Sequence, residues 1–171
     1  MLLVQNREKL FDDFIFSSLV QFLGEYNLVA GISSKFNDMA KCRKHYLQSC
    51  KSAQLGQHLY PNDCLYEYSS FAMYHLLDIA MEREDLKDFC NPQIFKMMEY
   101  DNKYNTEYAK TLYTFLMNGQ NPGLTAQQLH IHRNTIDYRI NKIAELFKIK
   151  ISDPEIAFSV FLTYKILLFT K

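Results

Sequence analysis

Apolar side chains recur along this chain at two different periods, and the change between them divides it near residue 70. Residues 1–70 read as α/β. A short apolar run at 2–4 fits the end of a strand. Residues 7–23 have helical spacing, with Leu10, Phe14, Leu19 and Phe22 among the apolar positions. Residues 28–32 form a strand pattern that ends in Ser33-Ser34. Asn37 can cap a helix running to about residue 55, with Met39, Tyr46, Leu47, Cys50 and Ala53 as its apolar positions and Gly56 as its stop. After a Pro61-Asn62-Asp63 turn, residues 64–68 alternate like a strand. From residue 71 onward the pattern is helical throughout. Helices are expected over 71–81, over 92–100 with Asn91 as cap, and over 106–117, closed by Asn118-Gly119. Gln120, Asn121, Pro122 and Gly123 read as a loop. No internal repeat or low-complexity segment interrupts this order.

Residues 124–146, LTAQQLHIHRNTIDYRINKIAEL, carry the most specific pattern. Thr125 and Gln128 have the spacing of a capping box, which opens a very short helix over 125–129. A turn at His130-Ile131 leads to a second helix that begins at His132 or Arg133 and runs to Phe147. On it Ile136, Ile140, Ile143, Ala144 and Phe147 line one apolar stripe. Ala126, Leu129 and Ile131 supply the opposing contacts, and Ala126 is small enough for two helices to cross closely. A short helix, a tight turn and a longer helix form the geometry that seats the second helix in a major groove. Its other face carries Arg133, Asn134, Asp137, Tyr138 and Asn141, flanked by Arg139 and Lys142. Arginine can bond two acceptors of guanine, and asparagine can pair with adenine in the same two-pronged way. Tyr138, Arg139 and Lys142 suit phosphates, which set position more than sequence. The competing reading is a plain helical hairpin with a solvated polar face. The short capped first helix, the turn and the polar cluster together favour the DNA reader.

Charge placement points the same way. The chain is neutral overall, with 19 basic and 19 acidic side chains, so it is no generic polyanion binder. Residues 124–150 hold Arg133, Arg139, Lys142, Lys148 and Lys150 against Asp137 and Glu145, a local excess of positive charge on an acidic body. Apolar residues make up 48% of the chain, enough to bury a core. The four cysteines, Cys42, Cys50, Cys64 and Cys90, include no CxxC pair, and reduced buried thiols are the expected state. Cys42 and His45 form a CxxH, but no second tight pair is present to complete a metal site. No metal, no cofactor and no membrane span are expected, and a cytoplasmic location follows. The chain has no phosphate-cradling glycine loop, no HExxH and no GxSxG, and His45, His58 and His75 are scattered, so catalysis is not expected. The last helix, 154–169, with Asp153 as cap and Pro154 at its first position, is apolar around nearly its whole circumference. Central burial and a dimer contact both account for that.

The stretch His-Ile-His-Arg-Asn-Thr-Ile-Asp-Tyr-Arg-Ile-Asn-Lys-Ile-Ala-Glu-Leu-Phe, residues 130–147, resembles the helix-turn-helix signature of the PucR/CdaR-type bacterial regulators. The signature centres on His132-Arg133-Asn134-Thr135 and Tyr138-Arg139. Tyr100-Asp101-Asn102, the 111–119 segment and the turn at 149–154 resemble the remainder of that domain, so the likeness covers about residues 90–170. Lys148 departs from it, standing where the family usually has a glycine that closes the recognition helix. Val29-Ala30-Gly31-Ile32-Ser33, Ala53-Gln54-Leu55-Gly56 and Leu65-Tyr66-Glu67-Tyr68 resemble the second half of a GGDEF-like domain. The chain has no adjacent glycine pair, so no cyclase activity is implied. The resemblance implies an α+β, predominantly helical chain: a partial GGDEF-like α/β segment over 1–70, a linking helix over 71–90 and an all-α helix-turn-helix domain over 91–171. It implies a sequence-specific transcription regulator on double-stranded DNA, reading it with His132, Arg133, Asn134, Thr135, Asp137, Tyr138, Arg139, Asn141 and Lys142. A homodimer is expected, and a small-molecule effector would act through N-terminal regions absent here, the chain being a fragment or a shortened form of a longer regulator. The alternative is a dimerisation or ligand-sensing module with a non-functional helix-turn-helix.

Overall fold

The computed structural model describes residues 13–170. The strand expected at 2–4, and the first part of the helix expected over 7–23 with Leu10 and the side chain of Phe14, lie outside the described residues. Among the described residues the order is α1 (Asp13–Glu25), β1 (Ala30–Ile32), α2 (Cys42–Leu59), β2 (Leu65–Glu67), α3 (Tyr68–Met81), α4 (Pro92–Tyr104), α5 (Tyr108–Met117), α6 (Pro122–Leu129), α7 (Arg133–Phe147) and α8 (Pro154–Phe169). Short 3-10 helices stand at Met39–Lys41 and Leu86–Phe89. The described residues are thus predominantly helical with a two-stranded sheet. It forms two compact units, one ending at Arg83 and the other beginning at Glu84.

In the first unit β1 and β2 run parallel, with Ala30 opposite Leu65, Gly31 opposite Tyr66 and Ile32 opposite Glu67. A parallel pair needs a crossover, and α2 supplies it, packing on both strands and on α3. The helix lies so close to the sheet that only small residues fit between them. A Cβ on Gly31 would stand 1.8 Å from the Ser49 carbonyl oxygen, and one on Gly56 would stand 2.1 Å from the Tyr66 ring. Buried Ser52 donates its hydroxyl to the Tyr66 carbonyl at 3.0 Å. Two sequence expectations are corrected by this packing. Gly56 does not stop α2, which continues to Leu59; it is the point of contact with Tyr66. Met39, Tyr46, Leu47 and Cys50 face solvent, while His45, Ser52, Leu55 and Gly56 are the buried positions. The cap also moves by one residue: the Asp38 side chain, not that of Asn37, accepts from the Ala40 N–H and opens the 3-10 turn ahead of α2.

In the second unit, α4 to α8 surround one core. Ile94 and Met97 of α4, Leu112 and Phe115 of α5, Ala126 of α6, Ile136, Ile143 and Phe147 of α7, and Val160 of α8 belong to it. Asn91 caps α4 through the Gln93 N–H, and its own backbone N–H donates to Thr163 Oγ1 at 2.7 Å, which ties α8 to the start of α4. α4 outlasts the expected end at residue 100 and stops at Asn105, whose φ is +51°. The Asp101 carboxylate of α4 then accepts from the Tyr108 N–H at 2.9 Å and the Ala109 N–H at 2.8 Å, so one side chain satisfies two free donors at the head of α5. Asp153 and Pro154 open α8 as read from sequence. Tyr164 donates its hydroxyl to the Ala109 carbonyl at 2.8 Å, and burial pushes that hydroxyl well above the usual tyrosine range. α7 ends at Lys148, which takes the left-handed conformation at φ +55° that a glycine adopts without strain.

Three stability predictions follow from these contacts. Gly56→Ala should cost about 1–3 kcal/mol in urea unfolding, because the added methyl group meets the Tyr66 ring. Ile136→Asp should abolish the cooperative unfolding transition of the second unit in calorimetry, since the position has no solvent exposure and an unpaired carboxylate there has no partner. Lys148→Gly should raise stability by roughly 0.5–1 kcal/mol, the relief of the left-handed strain exceeding the extra freedom of the unfolded chain.

Candidate nucleic-acid interface

α6 begins one turn earlier than the sequence pattern indicated. Asn121 is its cap, with Oδ1 accepting from the Gly123 and Leu124 N–H groups, and Pro122 fills the first helical position, where its missing N–H costs nothing. The expected capping box is therefore replaced. Thr125 lies inside the helix, fully buried, and donates its hydroxyl to the Asn121 carbonyl at 2.7 Å. Gln128 Oε1 accepts from Asn118 Nδ2 at 2.8 Å. The segment 120–123, read as a loop, supplies this helix start. The Asn-Pro pair was the signal that could have revealed it.

His130, at φ +54°, ends α6, and Ile131 returns its N–H to the Ala126 carbonyl. α7 starts two residues later. His132 caps it, Nδ1 accepting from the Asn134 N–H at 3.2 Å. The stripe on α7 is bound as its periodicity requires, with Ile136 and Ile143 at 0% exposure, Phe147 buried and Ile140 partly so. Ala126 is buried opposite, and Leu129 and Ile131 pack on the same cluster. Ala144, placed on the stripe by sequence, is exposed. Eight residues past Ile136 puts it about 80° round the helix, beyond the edge of the buried strip.

The polar edge of α7 faces outward. His132, Arg133, Asn134, Asp137, Tyr138 and Asn141 are exposed, and Thr135 is half-buried. Arg133 lies 3.9 Å from Asp137, both side chains being largely in solvent. A pair so exposed contributes about 0–1 kcal/mol, so Arg133 can leave it for another partner at little cost. Lys142 bonds Glu145 at 2.8 Å, which holds the lysine above and the glutamate below the ordinary range. Arg139 differs from the others. Its side chain is only 21% exposed, and Nη1 donates to Thr111 Oγ1 at 2.9 Å and to Glu107 Oε2 at 3.3 Å, both on or next to the first turn of α5. Glu107 lies below the usual carboxylate range, first through its bond to Lys110 and then through that to Arg139. Thr111 belongs to the 111–119 segment of the family likeness and Glu107 to no motif, and nothing in the sequence marks either as a partner of a helix more than 20 residues away.

Among the described residues no helix is long and apolar enough to cross a membrane, and no three His, Cys, Asp or Glu side chains converge as a metal site would require.

The chain is similar to several regulators of known role. It is 30% identical over 126 residues to the proline-responsive transcriptional activator PutR of Bacillus subtilis (strain 168), a match covering 72% of this chain and 30% of that protein. It is 22% identical over 150 residues to the DNA-binding transcriptional activator AdeR of the same organism, covering 86% and 33%. It is 24% identical over 123 residues to the carbohydrate diacid regulator of Escherichia coli (strain K12), covering 72% and 31%. The chain spans about a third of the length of these curated relatives. No solved structure matches it. Residues 108–166, running from α5 into α8, match the PucR C-terminal helix-turn-helix domain.

Proposed function

We propose that the chain is the DNA-binding end of a sequence-specific transcription regulator, with α7 as the helix that enters the major groove of double-stranded DNA. One observation carries this reading: a row of exposed polar side chains, Arg133, Asn134, Asp137, Tyr138 and Asn141, on a helix whose opposite side is sealed into the core behind a short capped helix and a tight turn. Arg133 and Asn134, in the first turn, are placed to reach base edges, and Asp137 can accept from a cytosine amino group. Tyr138 and Lys142 would meet phosphates, and the head of α7 at His132 adds its own partial positive charge.

The wider role rests on the relatives. The matches cover about a third of each of them, and PutR is named for a response to proline. This chain, on that reading, is the C-terminal part of an effector-responsive activator working in a bacterial cytoplasm, and its effector is sensed elsewhere in the protein. Residues 1–70 are read as a partial GGDEF-like segment, for which the parallel β1-α2-β2 crossover is the support. Residues 91–171 are read as one DNA-binding domain, with 71–90 joining it to the α/β part. A homodimer placing two α7 helices about one DNA turn apart would match a palindromic site. No catalytic role is assigned.

Binding should weaken steeply with salt when the chain is titrated with duplex DNA at two ionic strengths. On a duplex selected by the chain from a random pool, Arg133→Ala should cost about 1–3 kcal/mol and relax base preference at one position, with the thermal transition unchanged. Undiminished binding by that variant would remove Arg133 from the interface, and a chain that ignores duplex DNA at low salt would leave the dimerisation or ligand-sensing role.

A further inference from the structure

Arg139 sits beside the residues that face DNA in the reading above, yet its surroundings are those of an internal contact. Three residues past Ile136, it lies about 60° off the centre of that side chain, on the flank of the apolar stripe that faces α5. Thr111, which receives its guanidinium, has no solvent exposure. The Thr111 hydroxyl hydrogen is already committed to the Glu107 carbonyl at 2.7 Å, so its lone pairs are held in one orientation, toward the Arg139 Nη1 at 2.9 Å. The Glu107 carboxylate adds a charged acceptor at 3.3 Å. The head of α5, where both residues sit, is itself fixed by Asp101.

We propose that Arg139 is a positioning residue and not a phosphate contact: through Thr111 and Glu107 it sets the rotation of α7 about its own axis, and with it the alignment of Arg133, Asn134 and Asn141 on the bases. This rests on α7 being the recognition helix. The apolar stripe selects which side of α7 is buried, but burial is non-directional and a hydrogen bond fixes an angle more sharply. Side-chain tips lie roughly 5–6 Å from a helix axis, so a turn of about 20° moves them by about 2 Å, more than a two-pronged bond to a base tolerates. A hydrogen bond whose acceptor is buried and pre-oriented supplies the missing angular restraint. Arg133, with its side chain 68% exposed and only a loose ion pair, is by contrast free to change partners.

The test compares the full chain with Arg139→Gln, Thr111→Val and both together, on a duplex selected from a random pool by the unsubstituted chain and on a shuffled duplex of equal length. Thermal unfolding establishes that each variant is folded at the assay temperature. Preference for the selected over the shuffled duplex should fall roughly tenfold in each single variant and no further in the double. The dependence of log affinity on log salt should keep its slope, since no phosphate contact is lost. Thr111 is buried and cannot touch DNA, so its equal effect is what separates positioning from contact. Arg139→Lys, which keeps the charge and loses the planar fork, should also lose preference. A slope shallower by about one in Arg139→Gln, with Thr111→Val unaffected, would overturn the proposal, as would full preference in Arg139→Lys. Failure of the unsubstituted chain to select any duplex would overturn the DNA reading of α7 and this assignment with it.

Discussion

The burial of one strip of α7 is the contact on which the second unit depends. Ile136, Ile143 and Phe147 enter the core that α7 shares with α4, α5 and α6, and their insertion decides which side of the helix is left in water. Everything polar on α7 follows from that choice: Arg133, Asn134, Asp137, Tyr138 and Asn141 are outside because the isoleucines are inside. The short α6 serves the same end. Its buried Ala126 lets the two helices approach, and the left-handed His130 turns the chain back in two residues.

How much of this could be read in advance depended on whether one signal acted alone. The stripe on α7 was legible because branched apolar side chains recur there at one helical period, and nothing competes with them. Asp153-Pro154 was legible because a cap and an N1 proline coincide. At α6 two caps compete. Thr125 and Gln128 have the right spacing, but Asn121 with Pro122 satisfies two N–H groups one turn earlier, and the longer helix forms. At α2 the pattern pointed to the wrong face. Close approach to the sheet selects Ser52 and Gly56 for their size, not their hydropathy, so a scan for apolar periodicity passes over them and picks Tyr46 and Leu47 instead.

Among the side chains read as facing DNA, the sequence separated exposed from buried more sharply than it separated contact from support. Arg133 and Arg139 are the same residue type six positions apart. Their difference lies in Glu107 and Thr111, which are distant in the chain and not marked by the sequence as partners of an arginine. Asp101 is a further case, a polar residue whose work is done at the start of the next helix, beyond the helix it belongs to.

Four of the left-handed positions in the second unit, Asn105, Gln120, His130 and Lys148, carry side chains where glycine would be strain-free. Each has less backbone freedom to surrender on folding than a glycine would, which offsets part of its torsional cost. The joints between successive helices are thereby stiffened as well as bent. A module jointed in this way would meet its target as a preformed shape, with little ordering left to complete on contact.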